Sequence, residues 1–236
     1  MNADLSGSTK IKYKKSLSVS ADFFNAQNVN VGVRELAMEA IANGICAHSG
    51  CRAIGSTFMS FSDYCKPAIR VGAISNLPMV TVFSHDSITV GEDGPTHQPV
   101  EQLQTLRSIP NHYTFRPANS EECIATINII NSDNSYPISV ITSRGDFEQH
   151  QGSYDGTFKG GYIIKKVENA NINIIATGSE VALAFEVAKK LEAKRIKAQI
   201  ISMPCVELFA QQTEKYRNEI IGKRPTVSIE YGSTAA

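Results

Sequence analysis

The densest run of potentially reactive side chains is Ser84 to Gln98, Ser-His-Asp-Ser-Ile-Thr-Val-Gly-Glu-Asp-Gly-Pro-Thr-His-Gln, directly after an apolar stretch. Two imidazoles, His85 and His97, and three carboxylates, Asp86, Glu92 and Asp93, share this loop with Gly91 and Gly94. Such a set offers an acid, a base and hydrogen-bonding groups together. The bland alternative is a turn whose carboxylates cap the next helix while the histidines sit in solvent. Metal binding is a weaker reading, because the two histidines lack i, i+4 spacing and no cysteine accompanies them. Serine-nucleophile chemistry has no support, since no serine occupies a Gly-x-Ser-x-Gly elbow.

Three further features bear on chemistry. Phe58, Phe61 and Tyr64 are spaced i, i+3, i+6, so on one helix they would share a side. Core packing is the ordinary meaning of such a trio, and a platform for a flat heterocycle is the other. Glu35 follows Gly32-Val-Arg34 at the start of a helical pattern, where a carboxylate favours the helix dipole. Thr177-Gly-Ser-Glu180 at another helix start could offer free amides to an anion, with a capped start as the plainer reading.

The elements that must position these residues follow from apolar periodicity. Val33, Leu36, Ala37, Ala40, Ile41 and Ile45 form a helical stripe that ends before Gly50. A short strand over 52–56, a helix over 61–73 and an apolar strand over 78–83 come next. Beyond the polar loop the pattern predicts a helix over 100–106, a strand over 113–115, a helix starting at Ser120 and a strand over 137–142. This alternation predicts an α/β fold whose parallel sheet is covered by helices on both faces, with ligands beyond the carboxyl ends of the strands. Residues 144–161 are polar and carry Gly145, Gly152, Gly156, Gly160 and Gly161, which marks a linking segment. A second, shorter α/β unit follows, with strands over 162–167, 173–176, 198–203 and 226–230 and helices over 179–193 and 206–221. The expected partition is a first domain over 1–150, including a basic arm over 1–30, a linker over 151–160 and a truncated second domain over 161–236.

Composition narrows the classes of function. The 236 residues hold 23 Lys plus Arg and 23 Asp plus Glu, so no global field draws the chain to nucleic acid or an anionic membrane. Five scattered cysteines without a Cys-x-x-Cys pair are expected to be reduced thiols, and a cytoplasmic location follows. The first residues lack an apolar signal-type stretch, and no run approaches the ~18 apolar residues of a spanning helix.

Several of these segments occur together in one known family. Gly32-Val-Arg-Glu-Leu-Ala-Met-Glu-Ala-Ile-Ala-Asn-Gly44, Ser56-Thr-Phe-Met-Ser-Phe61, His85-Asp-Ser-Ile and Gly91-Glu-Asp-Gly-Pro-Thr-His-Gln-Pro99 resemble transketolase signatures. Asn2-Ala-Asp4-Leu, Arg116-Pro, Ser143-Arg144 and Ala176-Thr-Gly-Ser-Glu180-Val extend the likeness in the same order over nearly the whole chain. The resemblance implies the pyrimidine-binding domain of a thiamine diphosphate enzyme, then part of its carboxyl-terminal domain.

It also implies roles. Glu35 matches the glutamate that hydrogen-bonds the cofactor's pyrimidine ring and so promotes deprotonation of the thiazolium carbon. Phe58, Phe61 and Tyr64 match the aromatic pocket around that ring, which favours the platform reading over core packing. His85 and Asp93 match residues at the hydroxyls beside the reacting sugar carbonyl. Ser8, His97 and Arg144 match the positions that hold the sugar's terminal phosphate. Asp4 matches an aspartate near the cofactor at a subunit interface. The chain departs from the usual pattern at Gly145, which stands where a polar amide normally follows the arginine.

Family members bind the diphosphate and its Mg2+ or Ca2+ through a domain with no counterpart here, and Glu92-Asp93-Gly94 is not that metal site. The expectation is a fragment or subunit of a transketolase of the pentose phosphate pathway. Such a chain acts on sugar phosphates as part of a homodimer or beside a complementary diphosphate-binding chain, and is inactive alone. A deoxyxylulose phosphate synthase-like fragment is the alternative enzyme. A non-catalytic, self-associating module that kept the fold is the alternative of another class.

Overall fold

The computed structural model describes residues 1–132 and 136–233. In chain order the elements are α1 (Ser6–Thr9), α2 (Glu35–Ser49), β1 (Ile54–Phe58), α3 (Ser62–Ile74), β2 (Val80–Ser84), α4 (Gln102–Arg107), β3 (Tyr113–Phe115), α5 (Ser120–Asn131) and β4 (Ile138–Ile141). Then come α6 (Tyr154–Phe158), β5 (Tyr162–Lys165), β6 (Ile172–Ala176), α7 (Glu180–Glu192), β7 (Ala198–Ser202), α8 (Val206–Ala210), α9 (Glu214–Ile220) and β8 (Thr226–Ile229). Short 3-10 turns occur at Met59–Phe61 and Ile88–Val90. The described residues fall into two compact units, 1–113 with 136–144 and 232–233, and 114–132 with 145–231.

The first sheet has the order β1-β2-β4-β3. β1 and β4 run parallel to β2 on its two sides, with Phe58 paired to Ser84 and Val80 to Ile138. The apolar run before the polar loop is therefore an interior strand, as its composition predicts, and Val80 and Phe83 are buried. α2 and α3 pack against one another, and Met38, Ala42 and Cys46 of α2 join Cys65, Ile69 and Ala73 of α3 in one core.

The helical period of α2 agrees with the sequence, but its phase does not. Val33 lies before the helix and is 77% exposed, and Leu36, Ala40 and Ile41 are also exposed. The buried side is Met38, Glu39, Ala42, Asn43 and Cys46. Two polar residues thus face the core, and each has a local accommodation. Asn43 Nδ2 donates to the Ala68 carbonyl at 2.8 Å, beside Gly72, where a Cβ would stand 2.7 Å from Asn43 Oδ1. Glu39 Oε2 accepts from Thr81 Oγ1 at 3.1 Å, and Gly55 leaves the room its other oxygen takes.

The second sheet has the order β5-β7-β6-β8, with β7 and β8 parallel to β6 and β5 antiparallel to β7. Ile174 and Ile200 are fully buried and pack with Val181, Ala184 and Ala188 of α7. Two buried carboxylates organise this unit. Glu122 of α5 accepts from Tyr162 Oη at 2.7 Å, Ser202 Oγ at 2.6 Å and the Ala118 amide at 2.7 Å. Arg116 donates through both terminal nitrogens to Glu180 and at 2.9 Å to Thr177 Oγ1.

That pair settles the helix start at Thr177-Gly-Ser-Glu180. Ser179 does not cap α7, and the amides of Glu180, Val181 and Ala182 donate to the Thr177, Gly178 and Ser179 carbonyls, while the Glu180 carboxylate is paired with Arg116. Two smaller differences have equally local causes. The helix expected over 206–221 is two, because the Thr213 side chain accepts from the Tyr216 amide and starts α9 afresh. The glycine-rich linking segment contains α6, which Ser153 caps. α5 starts at Ser120 as expected, with Asn119 as its cap accepting from the Glu122 amide at 3.0 Å.

Candidate functional site

The parallel strands deliver the sequence-predicted residues to one edge of the first sheet. Phe58 closes β1, and His85 follows β2 on the neighbouring strand. In-register pairing of Phe58 with Ser84 sets them side by side, and the His85 ring stacks on Phe58 with centroids 3.7 Å apart and planes at 25°. Phe61 lies 6.0 Å from Phe58 and nearly parallel to it, with Tyr64 6.2 Å further on. His97 meets Phe61 edge-on at 5.2 Å. The three aromatics therefore assemble, but not along one helix. Phe58 ends a strand, Phe61 closes a 3-10 turn and Tyr64 sits in α3, 61% exposed.

His85 is buried with a left-handed backbone, φ +60°. A non-glycine residue adopts that conformation at a cost of about 1–2 kcal/mol. Its Nδ1 is 2.9 Å from Ser84 Oγ. Burial pushes the proton affinity of the ring below the usual imidazole value, and the Arg144 guanidinium and His97 add to this, while Asp93 and Asp86 pull the other way. His85 thus stays neutral further into acid than an exposed histidine, able to accept and donate one hydrogen bond. Gly91 and Gly94, both at positive φ, turn the loop that carries Asp93, and the amide of His97 donates to the Gly94 carbonyl at 3.1 Å. Asp93 and Arg144 are exposed yet near enough to His85 to act on its charge, so a mixed-charge rim borders the rings.

Glu35 is the first residue of α2 and is buried. Its charge reaches Cys65, which neighbours Tyr64 in α3. Asp4 and Ser8 lie on the arm, both exposed, rather than among the stacked rings. Asp4 also has a left-handed backbone, φ +67°, and its amide donates to Asn2 Oδ1 at 3.1 Å. Among the described residues no group of three or more His, Cys, Asp or Glu side chains is placed to hold a metal ion.

Sequence reasoning missed Glu39, a second carboxyl on the buried side of α2. The signal was present as an i, i+4 repeat of glutamate, but a charged residue is assigned to the solvent face by default.

The ring stack beside a buried helix-start carboxyl suits a flat, edge-polar heterocycle, and the rim of His97, Arg144 and Asp93 suits a hydroxylated anion. Comparisons with known proteins agree with that chemistry. The family model "Transketolase, pyrimidine binding domain" matches residues 1–149, and "Transketolase-like TK C-terminal domain" matches 160–236. Transketolase from Halalkalibacterium halodurans is 40% identical over 99% of this chain and 36% of its own length. The Aquifex aeolicus transketolase is 43% identical over 98% of this chain and 34% of its own length. The crystal structure of Pichia stipitis transketolase in complex with sedoheptulose 7-phosphate superposes with a TM-score of 0.96 at 36% identity, covering 100% of this chain and 36% of that one. The chain spans about a third of the length of the relatives it matches. On the strength of both family models and the signatures gathered at the sheet edge, this chain belongs to the transketolase family.

Proposed function

We propose that this chain supplies the pyrimidine-binding half of a transketolase active site. Transfer of a two-carbon ketol unit between ketose and aldose phosphates then takes place only where this half meets a diphosphate-binding domain. The observation that carries the reading is the stack of Phe58, Phe61 and His85 at the strand ends, in the same unit as the buried Glu35 at the start of α2. These residues fit the aminopyrimidine end of thiamine diphosphate. They offer flat apolar faces for the ring and a carboxyl for one of its nitrogens. The family likeness assigns Mg2+ or Ca2+ to a complementary domain, in a second copy of a longer chain or in a separate partner.

When bound, the cofactor supplies the carbon nucleophile and the electron sink of the reaction. Glu35 holds or releases a proton at the pyrimidine edge, and Phe58, Phe61 and Tyr64 fix the ring's face. His85, neutral at physiological pH, and Asp93 orient the hydroxyls next to the sugar carbonyl. His97, Arg144 and Ser8 receive the terminal phosphate, Arg144 through its forked donors. Asp4 stands near the cofactor on the side of the partner subunit. The partition into domains over 1–150 and 161–236 with a linker over 151–160 belongs to the same reading, and the spans of the two family models support it. A cytoplasmic site of action is proposed from five cysteines that are all free. A solved split-gene transketolase, described as an inactive β4 tetramer, shares the fold with a TM-score of 0.70 at 24% identity, which is a precedent for an inactive chain of this architecture.

The test is turnover of xylulose 5-phosphate and ribose 5-phosphate with thiamine diphosphate and magnesium. The 236-residue chain alone should be silent, and addition of a diphosphate-binding transketolase domain should restore transfer. In that assembly Glu35→Ala should lower kcat by roughly 10²-fold or more with an unchanged far-ultraviolet spectrum. Robust turnover by the chain alone, or a fully active Glu35→Ala, rejects the reading. Transfer from pyruvate in place of the ketose would favour the deoxyxylulose phosphate synthase alternative.

A further inference from the structure

Glu39 is a fully buried carboxyl that the proposed chemistry leaves unused. It sits four residues after Glu35, one turn further along α2. Its Oε2 has one partner, Thr81 Oγ1 of β2, and its Oε1 is buried without a hydrogen bond. The cavity for that oxygen exists because residue 55 is glycine, where a Cβ would overlap it. From α3, the buried thiol of Cys65 faces both carboxyls, and Glu39 and Glu35 each raise its proton affinity. The cluster is thus Glu35, Glu39 and Cys65, with the Thr81 hydroxyl.

A carboxylate so placed would lack the donors that normally satisfy a buried anion, and an unpaired buried charge is far costlier than a neutral acid. Burial accordingly raises the proton affinity of Glu39 to about 8, against the lowering effect of the Thr81 hydrogen bond. Near neutrality Glu39 is a neutral acid, and above that value it becomes an anion on the same helix as Glu35.

We propose that Glu39 sets the charge environment of Glu35, as a second carboxyl buried one turn along α2 and bearing on the same thiol. Its importance for catalysis rests on the thiamine reading of Glu35, while the electrostatic link does not. Like charges one helical turn apart disfavour each other's ionisation, so loss of the Glu39 proton places a second negative charge beside Glu35. Glu39 touches neither cofactor nor sugar in this scheme and is a positioning residue.

The test follows the glutamate side-chain carboxyl carbons by NMR in the 236-residue chain, from pH 4 to 10, beside Glu39→Gln. The expected result is a Glu39 inflection near pH 8 together with a second, smaller shift of the Glu35 resonance at the same pH. Glu39→Gln should remove that second shift. A Glu35 curve identical in both proteins, or a Glu39 that titrates with ordinary carboxylates, overturns the proposal. The wild-type chain alone shows or lacks the second shift, so a poorly folded variant does not shelter it. No cofactor is needed for this readout. If Glu35→Ala left the assembled enzyme fully active while the coupled titration persisted, the thiamine reading would fail and the coupling would stand.

Discussion

His85 combines three constraints in one residue, a left-handed backbone, burial, and a ring stacked on Phe58. Its identity was legible because it follows the strongest apolar run in the chain. Its backbone conformation was not, because a histidine carries no signal for positive φ. The depressed proton affinity has a consequence for pH dependence. A step that needs neutral His85 is fully available above the ordinary imidazole value of 6.5 and is lost only as the pH falls through the lower folded-state value. In the assembled enzyme the acid limb of kcat/KM should therefore lie below pH 6.5. His85→Asn should abolish that limb, because asparagine tolerates a left-handed backbone and does not titrate. A limb that keeps its position in the variant assigns it to another group. Glu39 shows the opposite limit of legibility. Its type announced solvent, and only the fold shows that Thr81 and Gly55 made a place for it.

At the scale of elements, strands were read better than helix faces. β2, β4 and β6 are apolar runs of the expected length, and a strand buried on both sides needs no phase. α2 needs one, and the stripe from Val33 to Ile45 placed its apolar side where solvent lies, because Glu39 and Asn43 occupy the core side. The splitting of the last long helix was hidden for another reason, since a threonine within a helical pattern reads as a weak former rather than as the cap that Thr213 becomes. The α2–β1 contact gives a test of the fit between helix and strand. Gly55→Ala puts a methyl group into the space of the Glu39 carboxyl and within 3.2 Å of Met38 Cε, and overpacking of this kind costs typically about 1–3 kcal/mol. Glu39→Ala should relieve much of that cost. Urea unfolding of the two single variants and the double variant measures the coupling, and strictly additive losses would deny that the glycine is there for the carboxyl.

At the scale of the first unit, two buried groups bound its pH range from opposite sides. His112, whose Nε2 is 2.9 Å from Ser139 Oγ, is held neutral by burial down to about pH 4. Between 6.5 and 4 the unfolded chain binds the proton that the folded chain refuses, so stability falls as the pH drops through that window. Glu39 acts in reverse. Its folded value is raised from 4.5 to about 8, so its contribution is complete below 4.5 and is lost as the pH rises towards 8. The slopes oppose each other between 4.5 and 6.5, where urea midpoints should form a plateau, with a decline on either side. With the overlap cancelled, the decline left on the alkaline side amounts to roughly 2 kcal/mol and that on the acid side to roughly 1 kcal/mol. Glu39→Gln should remove the alkaline decline and leave the acid one. Declines of equal size in both proteins would contradict the assignment.

The path of the chain through its two compact units is not linear. Within the second compact unit α5 is tied to Tyr162 and Ser202 through Glu122. The chain leaves the first unit after 113, is back in it by 136, leaves again after 144 and returns at 232. The units are therefore interleaved in the gene even though each is compact in space. A break at residue 150 would separate Glu122 from two of its donors and leave a buried acceptor unsatisfied. Exchange of one compact unit along its own borders would need four simultaneous junctions. Shuffling with a relative is expected to succeed only when both halves travel together.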